Sequence, residues 1–162
     1  MKTLLLLRHA KSSWDEAGIA DFERPLAPRG RKDAPRMGKT LAQRGPLPDA
    51  VVSSPAERAR QTVEAFLDAA GLDLQPKFDQ KIYAASAETL LDVVRRLPPR
   101  RSCVLLVGHN PGFEELLGRL TGSRAEMPTA ALACIDFETR GWSEIDKGSG
   151  TLRWLLAPKE LG

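Results

Sequence analysis

The chain has 162 residues, 42% of them hydrophobic and 28% charged, with a formal net charge of +3. That length suits one domain with a sizeable core, spanning residues 1–162, and the composition excludes an intrinsically disordered chain. Lys and Arg are scattered rather than blocked, so neither a nucleic-acid stripe nor a membrane patch is expected, and the small positive balance suits an anionic substrate without pointing to one.

Residues 3–7 are almost entirely apolar and predict a central strand covered on both faces. The leucine run Leu4 to Leu7 stops at Arg8-His9, too soon for the apolar region of a signal peptide or for a spanning helix, so a cytoplasmic location is expected. Residues 9–27, rich in Ser, Asp, Gly and Pro, predict a loop. A helix follows over 28–44, with Ala34, Met37 and Leu41 on one face, Gly45 as its stop and Pro35 as a point of kinking or delayed start. Residues 50–53 predict a second strand. Ser54 then reads as an N-cap, Pro55 as a first helical residue and Glu57 as the far side of a capping box, for a helix that runs to about Ala70 and stops at Gly71.

Residues 72–78 predict a third, weaker strand, and Ser86 caps a helix to Leu97. Residues 103–107 form the second strongly apolar strand. Asn110 reads as an N-cap and Pro111 as the opening of a helix to about Leu120. Residues 131–137 and 151–157 predict strands that close the sheet, with 140–150 as a turn between them. Cys103 and Cys134 fall inside apolar runs, with no CxxC and no histidine at ligand spacing. They read as buried free thiols, which suits a reducing compartment; no metal site and no cofactor is expected. Strands alternating with helices predict an α/β sheet with helices on both faces.

In open α/β sheets, ligands bind beyond the carboxyl ends of the strands. Arg8-His9 follows the first strand, Ser53-Ser54-Pro55 with Arg58 follows the second, and Gly108-His109 follows the Cys103 strand. Both histidines of the chain therefore stand at strand ends, after the two most apolar strands. A neutral imidazole can attack phosphorus and form a phosphoramidate, which splits one hard transfer into two easier ones. Arginine forks match phosphate oxygens, a protonated second histidine adds donors, and helix N-termini at Ser54 and Asn110 reinforce the field. Taken singly, each residue has an ordinary structural reading: a solvated charge at Arg8, a loop histidine at His9, a surface ion pair at Arg58 and a turn residue at His109. Neither GxGxxG nor GxxxxGK[ST] occurs, which disfavours a nucleotide-binding protein.

Leu7-Arg8-His9-Ala10-Lys11-Ser12 resembles the Arg-His-Gly/Ala signature of the histidine phosphatase superfamily, also called phosphoglycerate mutase-like. The segment from Ser53 to Thr62 resembles its second motif, and Val107-Gly108-His109-Asn110-Pro111-Gly112 its third. The resemblance covers nearly the whole chain. It implies an α/β/α sandwich around a mainly parallel sheet. It implies His9 as the phosphorylated nucleophile, with Arg8, Arg58 and His109 binding the phosphoryl group. Ser12 matches a position that contacts phosphate. Arg24 and Arg29 are candidates for the mouth of the site, where they could meet an acidic partner; Arg24 is taken as substrate-binding. Asp15 falls where relatives often carry Asn, and an acid there would repel phosphate, so it is left out.

Residues 21–26, Arg29-Gly30, residues 107–112 and Met127-Pro128-Thr129-Ala130 together resemble the short branch that includes the SixA phosphohistidine phosphatases. The chain has no room for a large lid insertion. Larger relatives supply an acid for an alkoxide leaving group; here residues 81–86 hold none before Glu88, which is a possible proton donor alongside Tyr83 or water. Imidazole leaves far more easily, since its conjugate acid has a pKa near ~6.5. The leading expectation is a phosphohistidine phosphatase acting on a partner protein, a phosphoric monoester/phosphoramidate hydrolase that works as a monomer. The alternatives are a small-molecule phosphomonoesterase for sugar or nucleotide phosphates, and a phosphate-binding module without turnover.

Overall fold

The computed structural model describes residues 1–161. In β1 (Lys2–Arg8) side chains alternate between the two faces of the sheet, and Leu4 to Leu7 are all fully buried. Leu4 and Leu6 join the core under α3 (Ala87–Arg95) and α4 (Gly112–Thr121). Leu5 and Leu7 join the core under α1 (Pro28–Arg44) and α2 (Glu57–Ala70). One strand thus anchors both cores, and each buried leucine side chain contributes roughly 1.5–3 kcal/mol.

The other strands are β2 (Ala50–Ser53), β3 (Lys77–Phe78), β4 (Cys103–Gly108), β5 (Leu132–Phe137) and β6 (Gly150–Leu156), in the sheet order β3-β2-β4-β1-β5-β6. The first four of that order run parallel, and β5 and β6 are antiparallel to their neighbours. The chain adopts the three-layer α/β/α sandwich around a mainly parallel sheet that the motifs imply. Register then places the chemistry. Arg8 lies opposite Gly108, and Ser53 opposite Val107. The turns carrying His9, His109 and Ser54 therefore leave the sheet side by side at its carboxyl edge.

The expected helix over 28–44 forms with those limits and runs through Pro35. Both cysteines are buried and free, in β4 and β5. Two expectations need correction. The strand expected over 72–78 pairs only at Lys77–Phe78, because Pro76 has no N–H to extend the ladder. The turn expected over 140–150 contains a short 3₁₀ helix, Trp142–Glu144, that plugs the core. Trp142 is 1% exposed, and its indole N–H donates to the Arg101 carbonyl at 2.8 Å.

Candidate active site

The turn after β1 is tied down on every side. The His9 N–H donates to the Gly108 carbonyl (2.9 Å), and the His9 carbonyl accepts from the Ala130 N–H (3.0 Å). The Ala10 N–H donates to Thr62 Oγ1 (3.0 Å), whose hydroxyl donates to the Arg58 carbonyl (2.7 Å). Thr62 thereby locks the His9 turn to the helix that carries Arg58. Helix α1 closes from below: a Cβ on Gly30 would collide with the Lys11 carbonyl oxygen, so only glycine lets helix and turn approach this closely.

His9 Nδ1 lies 2.8 Å from the Ala10 carbonyl oxygen. A carbonyl only accepts, so Nδ1 carries the proton and Nε2 keeps its lone pair. Burial first, then the positive charge of His109, Arg58 and Arg8, pushes the ring down to about 3, against the opposing pull of the Ala10 bond. His9 is therefore a neutral imidazole near pH 7 with an available Nε2.

The His109 ring centroid stands 5.1 Å from that of His9. Its Nε2 is 2.7 Å from Ser54 Oγ, and its Nδ1 is buried without a partner. This bond overturns the expected cap. The Ser54 hydroxyl serves His109 and accepts from the Ala56 N–H (3.2 Å), and α2 starts at Glu57 with Ala56 in the cap position. Asn110 is not a cap either. Its amide donates to Glu114 Oε2 (2.7 Å) and to the Met127 carbonyl (3.0 Å), and α4 starts at Gly112. Burial first, then the charge of Arg58, pushes the His109 ring down to about 4, so the protonated state expected of it needs an anion alongside.

Both arginines are held through terminal nitrogens and leave Nε unpaired. Arg8 Nη1 donates to the Met127 carbonyl (3.0 Å). Arg58 Nη1 donates to the Asp21 carbonyl (2.7 Å) and Nη2 to Asp21 Oδ2 (3.1 Å). The Nε atoms of both are buried without a partner. Ser12 and Arg24 join the same assembly: Arg24 Nη1 donates to Ser12 Oγ (2.7 Å), and Nε donates to Asp21 Oδ1 (3.2 Å). Glu88 is not brought in. Its exposed carboxylate accepts from Arg119 Nη1 at 2.7 Å.

The structure adds Asp21, to which the sequence assigns no role, and gives Tyr83 a partner. The Tyr83 hydroxyl donates to Asp21 Oδ2 (2.6 Å), and its ring meets His109 edge-on at 5.5 Å. That hydrogen bond, with Arg58 beside it, pulls Asp21 down to about 2, and the same bond raises Tyr83. A cavity of about 450 Å³ opens beside His109, lined by Asp21, Arg58, Tyr83, His109, Asn110 and Glu115 among others. A larger cavity, about 570 Å³, lies around Asp49, Lys77 and Arg96 and holds none of these groups. Among the described residues, no group of three or more His, Cys, Asp or Glu is placed to hold a metal ion, and no helix is long and apolar enough to cross a membrane.

The histidine phosphatase superfamily (branch 1) matches residues 4–82. An uncharacterized chloroplastic protein of Arabidopsis thaliana is 32% identical over 96% of this chain and 75% of its own length. An uncharacterized protein of Mycobacterium tuberculosis is 32% identical over 94% of this chain and all of its own. Among solved structures, SixA of Agrobacterium tumefaciens, provisionally named a phosphohistidine phosphatase, superposes with a TM-score of 0.81 at 32% identity, over 97% of this chain and 98% of that one. With two histidines and two arginines gathered at adjacent strand ends of the matching fold, the chain belongs to the histidine phosphatase superfamily.

Proposed function

We propose that this chain is a phosphatase that forms a phosphohistidine on His9 and removes phosphoryl groups from histidine on a partner protein. One observation carries the reading. Arg8 Nε, Arg58 Nε and His109 Nδ1 are buried nitrogens without partners, on the three side chains grouped with His9. Buried donors rarely go unpaired, and an anion with several acceptor oxygens would satisfy all three.

His9 Nε2 attacks phosphorus; the new P–N bond forms as the P–N bond to the substrate ring breaks, and that ring leaves as neutral imidazole because its far nitrogen already carries a proton. Water then attacks the phosphorus of phospho-His9, releasing inorganic phosphate and restoring the neutral ring. Arg8, Arg58 and His109 balance the charge on the transferring oxygens. Phosphate arriving beside His109 favours its protonated form, so the ring gains its second donor when the anion is bound. Ser12 and Arg24 form the rim, through their mutual bond and the link to Asp21.

The leaving group supports the partner-protein substrate. Asp21, held at about 2, has no proton to give near pH 7. The Tyr83 proton is committed to Asp21, and Glu88 is paired with Arg119. With Asp21, Tyr83 and Glu88 all committed, the site favours a leaving group that needs less acid help than an alkoxide, and imidazole is one. A second reading, a small-molecule phosphomonoesterase, draws on Glu115. Its side chain lines the cavity and could protonate an alkoxide.

The test is phosphate release from a phosphohistidine-bearing protein and from a panel of sugar and nucleotide monophosphates, with His9→Ala as the blank. A preference for phosphohistidine of ten-fold or more in kcat/KM, about 1.4 kcal/mol, supports the first reading. Preference for a monoester transfers the case to the second. Oxyanion binding without turnover of anything would leave only a phosphate-binding module.

A further inference from the structure

We infer that Asp21 is a positioning residue that fixes which edge of Arg58 faces the phosphoryl group. The inference rests on the phosphatase reading of the site and adds a residue to which neither the motifs nor the strand-end rule assigned a role.

A guanidinium offers two kinds of edge for bidentate contact: the end-on pair, Nη1 with Nη2, and the side-on pair, Nε with its neighbouring Nη. Asp21 occupies the end-on pair by itself, taking Nη1 on its backbone carbonyl (2.7 Å) and Nη2 on Oδ2 (3.1 Å). What remains is the side-on edge, whose Nε is buried and unpartnered. Remove the Asp21 carboxylate, and Arg58 can turn either edge to an anion.

The same carboxylate sets the surroundings of that edge. Oδ2 also accepts from the Tyr83 hydroxyl (2.6 Å), and Tyr83 packs edge-on against His109. Oδ1 accepts from Arg24 Nε (3.2 Å), and Arg24 reaches Ser12 on the His9 loop. Asp21 itself lies on a single 3₁₀ turn, Asp21–Glu23, and its carbonyl also accepts from the Arg24 N–H (3.2 Å), so its backbone is fixed before its side chain acts. One half-exposed carboxylate therefore joins the His9 loop, the Arg58 helix and the wall beside His109. Its negative charge repels a phosphoryl dianion, and two arginines in direct contact offset that repulsion. It acts through Arg58 and does not touch the reacting atoms.

The experiment is a double-mutant cycle with Asp21→Ala, Arg58→Ala and the double variant, read by kcat and KM on a phosphohistidine-bearing protein and on p-nitrophenyl phosphate, and by orthovanadate affinity. Asp21→Ala is expected to lower kcat/KM by roughly 10- to 100-fold, less than the roughly 10²–10³-fold of losing a donor outright, by the same factor on both substrates, and to weaken vanadate binding. In the Arg58→Ala background the further loss should be under about three-fold, since the edge being oriented is gone. Asp21→Asn, which keeps an acceptor for Arg58, should fall between Asp21→Ala and the unmodified chain. It supplies the reading if Asp21→Ala does not fold. Equal losses in both backgrounds overturn the inference, as does an Asp21→Ala enzyme with unchanged rate. A loss confined to the poorer leaving group also overturns it, by making Asp21 a proton donor. If the unmodified protein hydrolyses neither substrate, the phosphatase reading fails first. The vanadate cycle then still decides whether Asp21 and Arg58 act together, and absence of vanadate binding overturns both.

Discussion

The two histidine turns occupy equivalent places and are wired in opposite ways. His9 and His109 follow neighbouring parallel strands, one residue beyond the paired Arg8 and Gly108. His9 is held through Nδ1 by the carbonyl of its own neighbour, which leaves Nε2 available. His109 is held through Nε2 by the Ser54 hydroxyl on the adjacent loop, which leaves Nδ1 unpaired. A carbonyl fixes one tautomer outright, whereas a hydroxyl can donate or accept. The first arrangement suits a nucleophile that must present a lone pair. The second suits a ring whose proton count changes with the charge in front of it.

That contrast can be broken by mutation. His9→Ala should abolish turnover and all acid-labile labelling of the enzyme by phosphorylated substrate; label in that variant would place the nucleophile elsewhere. His109→Ala should slow turnover by about 10²–10³-fold yet leave a slowly formed label on His9, detected in rapid-quench time courses. An equally complete loss of label would make the two rings functionally alike. Ser54→Ala should cost less, about ten-fold in kcat, because it frees the His109 ring without removing it. Rescue of His109 orientation would show as a return of rate in Ser54→Thr.

A separate effect is on stability. Both rings sit below the ordinary histidine value of 6.5, at about 3 and about 4. The unfolded chain therefore binds protons more readily than the folded one. Stability from the buried neutral rings is complete above 6.5 and is lost as pH falls towards 4 and then 3. Urea unfolding across this window should show a shallower fall in a His9→Ala/His109→Ala variant. For the same reason, kcat/KM should show no acid limb near 6.5 from His9. A limb there would mean that His9 is more exposed to solvent than its burial implies.

The sheet was readable because its signals are local and strong. Two unbroken apolar runs marked β1 and β4, their turn residues marked the reactive edge, and Ser86 capped α3 as expected, accepting from the Thr89 N–H at 3.2 Å. Ser54 and Asn110 misled for a shared reason. Each carries a good capping side chain, but a tertiary partner took it: His109 in one case, Glu114 and the Met127 carbonyl in the other. Asp21 was unreadable because the two partners that tie it to the histidines, Arg58 and Tyr83, lie 37 and 62 positions away, and no periodicity or cap links them. Glu88 had the right chemistry in the right interval, but its helix turns it towards Arg119. Trp142 was hidden because a segment of Gly, Ser, Glu and Asp reads as a surface turn whatever its one aromatic residue does.

Trp14 gives the molecule an optical gauge of its own site. Its indole is 72% exposed, and the Arg24 guanidinium stacks on it at 3.5 Å from the ring centroid. Arg24 is bonded in turn to Ser12 and Asp21. Of the other two tryptophans, Trp142 is sealed in the core and Trp154 sits in β6 near Arg44. An oxyanion that draws on Ser12 or Arg24 must therefore disturb one fluorophore and spare two. Emission from Trp14 is expected to change when such an oxyanion binds, and Trp14→Phe should remove that change.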